Sequence, residues 1–505
     1  MYESSDGCGA SWLEGIADRL DRTGRRTIVA GLVVLYVASR IGFHLAGVRF
    51  DDGSLQWFYQ ILDPELLRKN LAQSVFYQHC QPPAFNVFLG LTLKLFGESA
   101  RTAFTVLYGL MAFAACLGTL TLLRGLGVRR LIALPLVCLM MICPTLVIYE
   151  NWLFYDLPVL VMLVAAAVGL QQWSGSLKLR WLGVFVVALA AICLTRSFFH
   201  LAYLAMIGGC LTVVAAGHRR RLALAVLVAF AATSTLYAKN LVVFGKFAGS
   251  TWLGMTLSEM TTYGLSQTER QMLVDGGAIS EISLLWPFTP LDEFPREYRT
   301  TAGFDGIEVL TEPFKSTGKP NYNHVAYIGI ADQYFKDAIA LVRHRPRAYL
   351  TALAKAWYHY LRPASRENLV ADNRAALGWY DDGWNTVFYG HVPLPYRMNR
   401  KQAEVFVLLA VGLVTGFATA VFLAVSRRAR AQWMTPQRRI VLWFMLLTVV
   451  YVTIVGTLLE SGENFRFRFY VGPFYLCFFA MAMEAAFRPR YGPEGPNPNQ
   501  SAGPK

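Results

Sequence analysis

The sequence predicts an all-α polytopic membrane protein. Hydrophobic residues make up 55% of the 505 residues and charged residues only 16%, and the mean hydropathy is positive. Apolar runs of roughly 20 residues recur along the chain, and each is long enough to cross a hydrocarbon core about 30 Å thick as a helix. The short alternating segments that characterise a membrane β-barrel are not seen in the sequence.

The apolar runs and the charges between them predict about ten membrane helices, with ends uncertain by a few residues. An even number of spans places both termini on one side, and the arginine and lysine clusters between spans then fall on that side too. This is the positive-inside pattern of a cytoplasmic face. It also explains the net charge of +14 without nucleic-acid binding, which would need a basic face on a soluble domain. The predicted spans are 27–48, 101–124, 131–149, 152–171, 181–196, 199–217, 222–243, 402–425, 439–459 and 469–487.

The spans divide the chain into five parts. A cytoplasmic tail, 1–26, precedes a transmembrane core, 27–243, whose first outer loop is 49–100. A large outer region of mixed or mainly helical structure, 244–401, separates this core from the last membrane helices, 402–487. The tail 488–505 is rich in Pro, Gly and Asn and is expected to be disordered in the cytoplasm.

One apolar stretch in the first outer loop is too short to span. Pro82 to Phe96 would form a helix only about 22 Å long, opened by Pro82-Pro83 and closed by Gly97. We expect an amphipathic or re-entrant helix on the outer surface. Within the large outer region, apolar positions at helical spacing predict a helix from Tyr327 through Leu361 that breaks near Pro346.

Ionisable residues from distant parts of the chain meet on the outer side of this topology. Charged groups at membrane depth are costly, so their gathering at one face indicates a site. Two adjacent aspartates follow the first span, and acids and arginines sit in the turns between later spans. The residues concerned are Asp51, Asp52, Glu150, Asp156, Arg196, Glu463, Arg466 and Arg468.

Each of these residues also has a structural interpretation. Asp51 and Asp52 could hydrate a loop, and Glu150 could cap the next helix. Arg196 could be an ion-pair partner of Asp156 or Glu150, whereas a guanidinium is also well suited to phosphate. Arg466 and Arg468 alternate with phenylalanines and could bind lipid headgroups non-specifically.

Together these groups fit a particular chemistry. Arginines covered by apolar side chains suit a substrate that carries a phosphate and a long apolar tail. A carboxylate can deprotonate the hydroxyl of an acceptor that attacks this substrate. The hard carboxylates would suit Mg or Mn, but no ligand set for a divalent cation can be read from the sequence.

In their order and topology, these motifs resemble the GT-C superfamily of integral-membrane glycosyltransferases, closest to bacterial members of the dolichyl-phosphate-mannose mannosyltransferase and RgtA-like type. The motifs are the acidic pair, His79-x-Gln81-Pro82-Pro83-Ala84-Phe85-Asn86, Gly97, Pro144 followed by Asp156-x-Pro158, Thr195-Arg196, and Glu463-Asn464-x-Arg466-x-Arg468.

The resemblance implies a multi-pass enzyme of the inner or plasma membrane whose active site faces the exoplasm. It would move a sugar from a polyprenyl-phospho-sugar donor to a glycan, lipid or protein acceptor. Asp51 or Asp52 would be the base, Asp51 matching slightly better, and Asp156 would place the acceptor or a metal. Arg196 and Arg466 or Arg468 would hold the donor phosphate. Substrate binding is expected of His79, Gln81, Asn86, Glu150 and Glu463.

Two other classes of function compete with the transferase. A transporter or flippase of lipid-linked saccharide would need polar groups near mid-membrane and access from both sides. A lipid-binding scaffold without chemistry would use the same carboxylates only for binding or stability. Transfer of a sugar by isolated membranes distinguishes the enzyme from both.

Overall fold

The protein is a bundle of long apolar helices with a helical region attached to one end, as seen in a computed structural model. The structure describes residues 19–20, 22–215, 217–262, 264–301, 303–398, 401–427 and 433–487. Most of the tails predicted at 1–26 and 488–505 therefore lies outside the described residues. The predicted all-α polytopic class is confirmed, since the described chain is mainly helical and contains several helices able to cross a membrane.

In the first half of the chain, the helices follow one another with short connections. The first half of the chain contains α1 (Arg25–Leu45), α2 (Ser54–Trp57), α3 (Pro64–Lys69), α4 (Leu71–Phe76), α5 (Ala84–Phe96), α6 (Ala100–Gly125), α7 (Arg130–Ile142), α8 (Pro144–Glu150), α9 (Asp156–Ser176), α10 (Leu179–Thr195), α11 (Leu201–Val214) and α12 (Arg219–Phe244). The large region then contains α13 (Leu253–Thr261), α14 (Gln267–Asp275), α15 (Glu308–Thr311), α16 (Ala326–His344), α17 (Pro346–Tyr360), α18 (Ala371–Leu377) and α19 (Trp379–Tyr389). An antiparallel hairpin of β1 (His391–Met398) and β2 (Lys401–Phe406) leads to α20 (Val407–Val425), α21 (Pro436–Leu459), α22 (Asn464–Tyr470) and α23 (Gly472–Phe487).

Each of the ten predicted spans coincides with a helix, although several differ from the prediction in form. Among the described residues, six helical segments are long and apolar enough to cross a membrane, and α10 and α11 are shorter apolar helices. Two predicted spans are bent pairs, α7 with α8 at 52° and α22 with α23 at 63°. The span predicted from residue 402 begins only at Val407, because the preceding residues pair as β2.

The bend between α7 and α8 has a local cause. Cys143 precedes Pro144 and is extended (φ −59°, ψ 126°), since the proline ring disfavours a helical conformation in the residue before it. The bend lays the short helix α8, with Glu150 at its end, beside the start of α9.

The short helix α5 folds back against α6, as expected for a segment that does not span. Residues Ala84 to Gly125 are helical without a gap, and Phe88 and Phe104 would lie about 24 Å apart along a straight helix. Their ring centroids are instead 5.8 Å apart. The turn occurs at Gly97, whose φ of 51° favours glycine.

Both ends of α5 lie at one end of the bundle. Phe85, at its start, packs against Phe154 and Tyr155 before α9. Arg101, just beyond its end, donates to the carbonyl of Phe50 at 2.7 Å. We call this end, where the 150–156, 195–200 and 460–468 segments meet, the site end.

The basic clusters gather at the opposite end. Arg438 donates to the carbonyl of Gly125 at 3.2 Å, and Arg439 donates to that of Val214 at 2.9 Å. Arg129 forms an ion pair with the buried Glu484 of α23 at 2.9 Å. The bundle therefore separates its basic loops from the residues predicted to form the site.

The large region 244–401 is mainly helical and is bound to the first outer loop. The predicted long helix with a break near Pro346 is present as α16 and α17. The buried side chain of Asn323 accepts from the backbone N–H of His79 at 2.9 Å. Lys315, also buried, donates to the carbonyl of Phe58 at 2.8 Å. These polar contacts hold the region over the site end.

We expect Gly254→Ala to destabilise this region. A Cβ at Gly254 would lie 1.9 Å from the carbonyl oxygen of Ala331 and 2.6 Å from the backbone nitrogen of Phe335. Relief requires a shift of α13 away from α16, which should cost about 1–3 kcal/mol. The measurement is the apparent melting temperature of the purified protein in detergent.

Gly329→Ala is the matched control, because it lies on α16 and its Cβ would meet nothing within 4 Å. It should be neutral or stabilise by roughly 0.5–1 kcal/mol. Equal effects of the two substitutions would show that α13 and α16 do not pack as described.

Candidate active site

A buried ion pair joins two distant segments at the site end. Asp156 is the first residue of α9 and Arg466 lies on α22. The Arg466 Nε atom lies 2.9 Å from Asp156 Oδ2, and the Tyr470 hydroxyl donates to Asp156 Oδ1 at 2.6 Å. Both charged side chains are almost completely inaccessible, at 0% and 1% exposure. Such a pair persists only with well-oriented partners, because each charge has lost its hydration.

Arg466 also connects this buried acid with the rim of the site. Its Nη1 atom lies 2.6 Å from an oxygen of Glu463, which is partly exposed. Its guanidinium lies over the rings of Phe154 and Trp152, at 4.8 and 5.3 Å from their centroids. Arg466 is thus held by two carboxylates and two aromatic faces.

Arg196 follows α10 directly and lies beside the pair. Its guanidinium carbon is 4.7 Å from the ring centroid of Tyr155 and 5.7 Å from that of Phe467. The side chain is 7% exposed, and its Nε atom is buried without a hydrogen-bond partner among the described residues. Buried polar groups are normally hydrogen-bonded, so this arginine is able to bind an anionic ligand.

Three further carboxylates approach this group of charges. Burial and the neighbouring Glu463 raise the pKa of Glu460 to about 8, although Arg196 and Arg466 oppose the shift. Burial, Glu460 and Glu463 raise the pKa of Glu259 well above its usual range. Burial also raises the pKa of Glu367, which lies near both Arg466 and Glu463. The site end therefore contains carboxyl groups that can hold protons near neutral pH.

Sequence reasoning missed these three acids. Glu460 had a signal, because it follows the ninth predicted span and stands three residues before Glu463. Glu259 and Glu367 belong to the large region, where neither spacing nor motif distinguished them from surface residues.

The first-loop aspartates lie at the rim of the site. Asp51 pairs with the segment that leads to Asp156, since its backbone N–H donates to the carbonyl of Asn151 and its own carbonyl accepts from the N–H of Leu153, both at 2.8 Å. Its exposed carboxylate accepts from the backbone N–H of Gly53. The Asp52 Oδ1 atom lies 3.5 Å from the Nε atom of Arg101. Among the described residues, no hydrogen bond joins either carboxylate to Asp156, Arg196 or Arg466.

Glu150 is placed away from this group. Its oxygens lie 2.9 Å from Arg40 Nε, and its Oε1 atom accepts from the Tyr36 hydroxyl at 2.7 Å. Arg40 and Tyr36 belong to α1, so Glu150 joins that helix to α8. Both oxygens are engaged in this contact.

The residues of the His79 motif are buried in structural contacts. His79 Nδ1 lies 2.8 Å from the Thr251 hydroxyl, and Nε2 donates to the Asn323 carbonyl at 2.8 Å. Burial lowers the pKa of His79 to about 3, so the ring is neutral. Asn86 accepts from the backbone N–H of Leu62 at 3.0 Å. Gln81 is nearer the charges, because it accepts from the hydroxyl of Ser197, the residue after Arg196, at 2.9 Å.

Arg468 faces a separate, apolar cavity. It lies two residues after Arg466 and donates to the carbonyl of Arg362 at 2.6 Å. A cavity of about 330 Å³ opens beside it, between α7, α20 and α23. The ring of Tyr149 stacks on that of Phe469, which lines the cavity, with centroids 4.2 Å apart.

The described residues do not form a metal centre. No group of three or more His, Cys, Asp or Glu side chains among them has the arrangement needed to hold a metal ion. Arg466 lies between Asp156 and Glu463 and occupies the oxygens that a cation would need. This donor set therefore does not fit the Mg or Mn that the sequence left open.

Comparisons with known proteins match this chain to solved structures. No family model matches the chain, and no curated protein does. Two crystal structures of the Archaeoglobus fulgidus oligosaccharyltransferase are similar: the apo form (14% identity, TM-score 0.42) and a form tethered to an acceptor peptide (13%, 0.43). Each match covers 92% of this chain and about half of the archaeal chain, 51% and 50%. A TM-score below 0.5 does not establish a shared fold, so function has to be argued from the site.

Removing the arginine of the buried pair should be strongly destabilising. Arg466→Met would leave Asp156 charged and without its main partner, at a cost of about 3–5 kcal/mol. The check is thermal unfolding of the purified protein. Lys69→Met is the control, because Lys69 pairs with Glu65 in an exposed contact within α3, where such pairs contribute about 0–1 kcal/mol. Similar losses in both variants would contradict the buried pair.

The stability of the protein should fall as pH rises from about 5 to about 8. The pKa of Glu460 is about 8 in the folded protein, compared with 4.5 ordinarily, so the unfolded state loses its proton first. Glu460→Gln should flatten this dependence and be more stable than the wild type above pH 8. The measurement is the apparent melting temperature across pH.

Glu65→Gln, at an exposed position of α3, should leave the slope unchanged. A slope for Glu460→Gln equal to that of the wild type would show that Glu460 is not the titrating group.

Proposed function

We propose that this protein is a membrane glycosyltransferase that moves a sugar from a polyprenyl-phosphate donor to a cell-envelope acceptor. The observation that carries the proposal is the group of buried charges at the site end. Asp156 and Arg466 form its centre and Arg196 lies beside them, while Asp51 stands on the adjoining segment. This arrangement offers a cation for a phosphate and a carboxylate for a hydroxyl.

The anion-binding role belongs to arginines whose charge is not already neutralised. Arg466 has carboxylate partners on two sides. Arg196 has aromatic neighbours and an unpaired Nε atom. A guanidinium in such surroundings gains most from binding a phosphate, because the interaction is little screened by water.

The reaction would be a single displacement with inversion at the anomeric carbon. A first-loop aspartate, Asp51 or Asp52, takes the proton of the acceptor hydroxyl. The acceptor oxygen forms a bond to the anomeric carbon while the bond from that carbon to the phosphate oxygen breaks. The polyprenyl phosphate leaves with the bonding electron pair, and Arg196 stabilises its added negative charge.

Asp156 would act as a positioning residue. Its two oxygens hold Arg466 and Tyr470, which fixes α22 against the start of α9. Arg196 lies between Tyr155 and Phe467, on the two segments that this pair joins. Losing the carboxylate would therefore displace the phosphate-binding arginine.

Three carboxyl groups beside the arginines, which we call the acidic rim, indicate what kind of acceptor would bind. Glu259, Glu460 and Glu463 interact with one another beside the arginines. Carboxyl groups hydrogen-bond well to hydroxyls, so the rim suits a hydroxyl-rich glycan, lipid or peptide acceptor better than an anionic one.

The site end would face the exoplasm of the inner or plasma membrane. The opposite end of the bundle carries the arginines of the loops near residues 129 and 438. Positive residues are retained on the cytoplasmic side, which supports a site on the opposite face.

The test is sugar transfer by membranes supplied with lipid-linked sugar. Asp51→Asn and Asp52→Asn remove a candidate base, and loss of the true base should lower the rate about 10²–10⁴-fold. Asp156→Asn should also lower the rate, through the position of Arg196. Asp275→Asn, at an exposed position of α14, should leave the rate unchanged.

Full activity in all three variants would eliminate this mechanism. Movement of lipid-linked sugar across vesicles without a new glycosidic bond would instead favour a transporter.

A further inference from the structure

Helix α17 of the large region has apolar side chains on two opposite faces. Ala352, Ala356 and Tyr360 are buried and lie on one face, four residues apart. The other face carries an exposed stripe that follows the helix at intervals of four, three and four residues. The stripe consists of Leu350, Ala354, Trp357 and Leu361. A helix at the surface of a soluble region is normally apolar on one face only, so the exposed stripe indicates a partner.

The stripe is continuous with apolar side chains on the outside of α21. The Tyr349 hydroxyl donates to the carbonyl of Leu458, in the last turn of α21, at 2.9 Å. Further along α17, the Tyr360 hydroxyl lies 2.7 Å from that of Thr453. Ile454 and Leu458 are 49% and 41% exposed, as expected of side chains on a membrane helix that face lipid. Helix α17 therefore crosses the site end of α21 beside its lipid-facing surface.

Helix α17 lies at the level of a membrane boundary. Thr453 stands six residues before Leu459, the last residue of α21, which corresponds to about 9 Å along the helix. Amphipathic helices in a bilayer interface lie roughly 5–10 Å deep. Since Tyr349 contacts the last turn of α21 and Tyr360 reaches Thr453, the start of α17 lies nearest the headgroups. Trp357 on the stripe fits this level, because tryptophan is enriched where lipid meets water.

Three exposed arginines surround the start of α17. Arg343 lies in the last turn of α16, Arg345 in the connection and Arg347 in the first turn of α17. Among the described residues, none of their side chains takes part in a hydrogen bond or an ion pair. Hydrogen bonds from Ser266 and, less strongly, the charge of Arg345 lower the pKa of Glu269 on α14. One carboxylate thus offsets part of the charge, and the start of α17 remains cationic.

We propose that α17 lies in the lipid leaflet at the site end and binds anionic phospholipid there. Its stripe would lie among the acyl chains, while Arg343, Arg345 and Arg347 bind headgroup phosphates. An anionic bilayer matches both chemistries in the order in which α17 presents them, with cations at the outer end and apolar side chains below. This contact needs no sugar transfer and stands apart from the group of charges around Asp156.

A spin label at position 350 measures the depth of α17. The full-length protein with Leu350→Cys is placed in nanodiscs of phosphatidylcholine and phosphatidylglycerol, and the signal of labelled wild type is subtracted for the native cysteines. The ratio of collisions with oxygen, which dissolves in lipid, to collisions with a water-soluble nickel chelate should be high. Phe314→Cys is the matched control, because Phe314 is also an exposed apolar residue of the large region but lies beside Glu308 and Glu312. Its ratio should be several-fold lower.

Retention of phosphatidylglycerol in native mass spectrometry tests the arginines. The double variant Arg343→Gln/Arg347→Gln should lower the affinity for phosphatidylglycerol about tenfold or more. Binding of phosphatidylcholine, which has no net charge, should not change. Arg296→Gln/Lys319→Gln is the control, since it removes the same charge from exposed positions outside α16 and α17. It should leave the retention of both lipids unchanged.

Three results would overturn the proposal. Equal collision ratios for Leu350→Cys and Phe314→Cys would place the stripe in water. Protection of the Leu350→Cys label from both reagents would mean that a second copy of the chain covers the stripe. Unchanged affinity for phosphatidylglycerol in Arg343→Gln/Arg347→Gln would remove the headgroup contact. Absence of sugar transfer, by contrast, would remove the enzyme and leave this lipid contact in place.

Discussion

The ion pair between Asp156 and Arg466 is the contact on which the site end depends. It joins residues 310 positions apart in the chain, and neither has access to water. Without the carboxylate, the arginine would be an uncompensated buried charge, and so would the carboxylate without the arginine. The pair therefore specifies how the start of α9 meets α22. Tyr470 strengthens it from one side and the rings of Phe154 and Trp152 enclose it from the other.

Breaks in the helices create the room for this pair. A continuous helix through residues 130–150 or 464–487 would present its side chains to neighbouring spans along its whole length. The bends of 52° and 63° instead turn the short helices α8 and α22 across the end of the bundle. The first bend brings Glu150, at the end of α8, into contact with Arg40 of α1. The second brings Arg466 into contact with Asp156. Two arginines that appear in similar sequence settings, Arg466 and Arg468, consequently face different surroundings: one faces carboxylates and the other an apolar cavity.

Residues of the large region contribute both to the group of charges at the site end and to the separate cavity beside Arg468. Glu259 and Glu367 join the acids of the 460–463 turn, and α19 forms one wall of the cavity beside Arg468. Contacts of His79 with Thr251 and Asn323, and of Lys315 with Phe58, hold this region in place. The His79 motif thus connects the loop 49–100 with the large region, and its neutral ring suits that structural role.

The sequence by itself determined the helical class, the approximate positions of ten apolar helical segments and the end of the bundle at which charged residues collect. These follow from apolar run lengths and loop charges, which are local properties that any bilayer imposes on the chain. Only the tertiary structure decided the partners: Glu150 with Arg40, Asp156 with Arg466, Asp51 on the rim, and Glu259 and Glu367 beside the acids of the 460–463 turn. The physical reason is that charge pairing is set by distance and burial. Both depend on bend angles at Pro144 and Val471 and on how 244–401 folds back, which no run length or motif specifies.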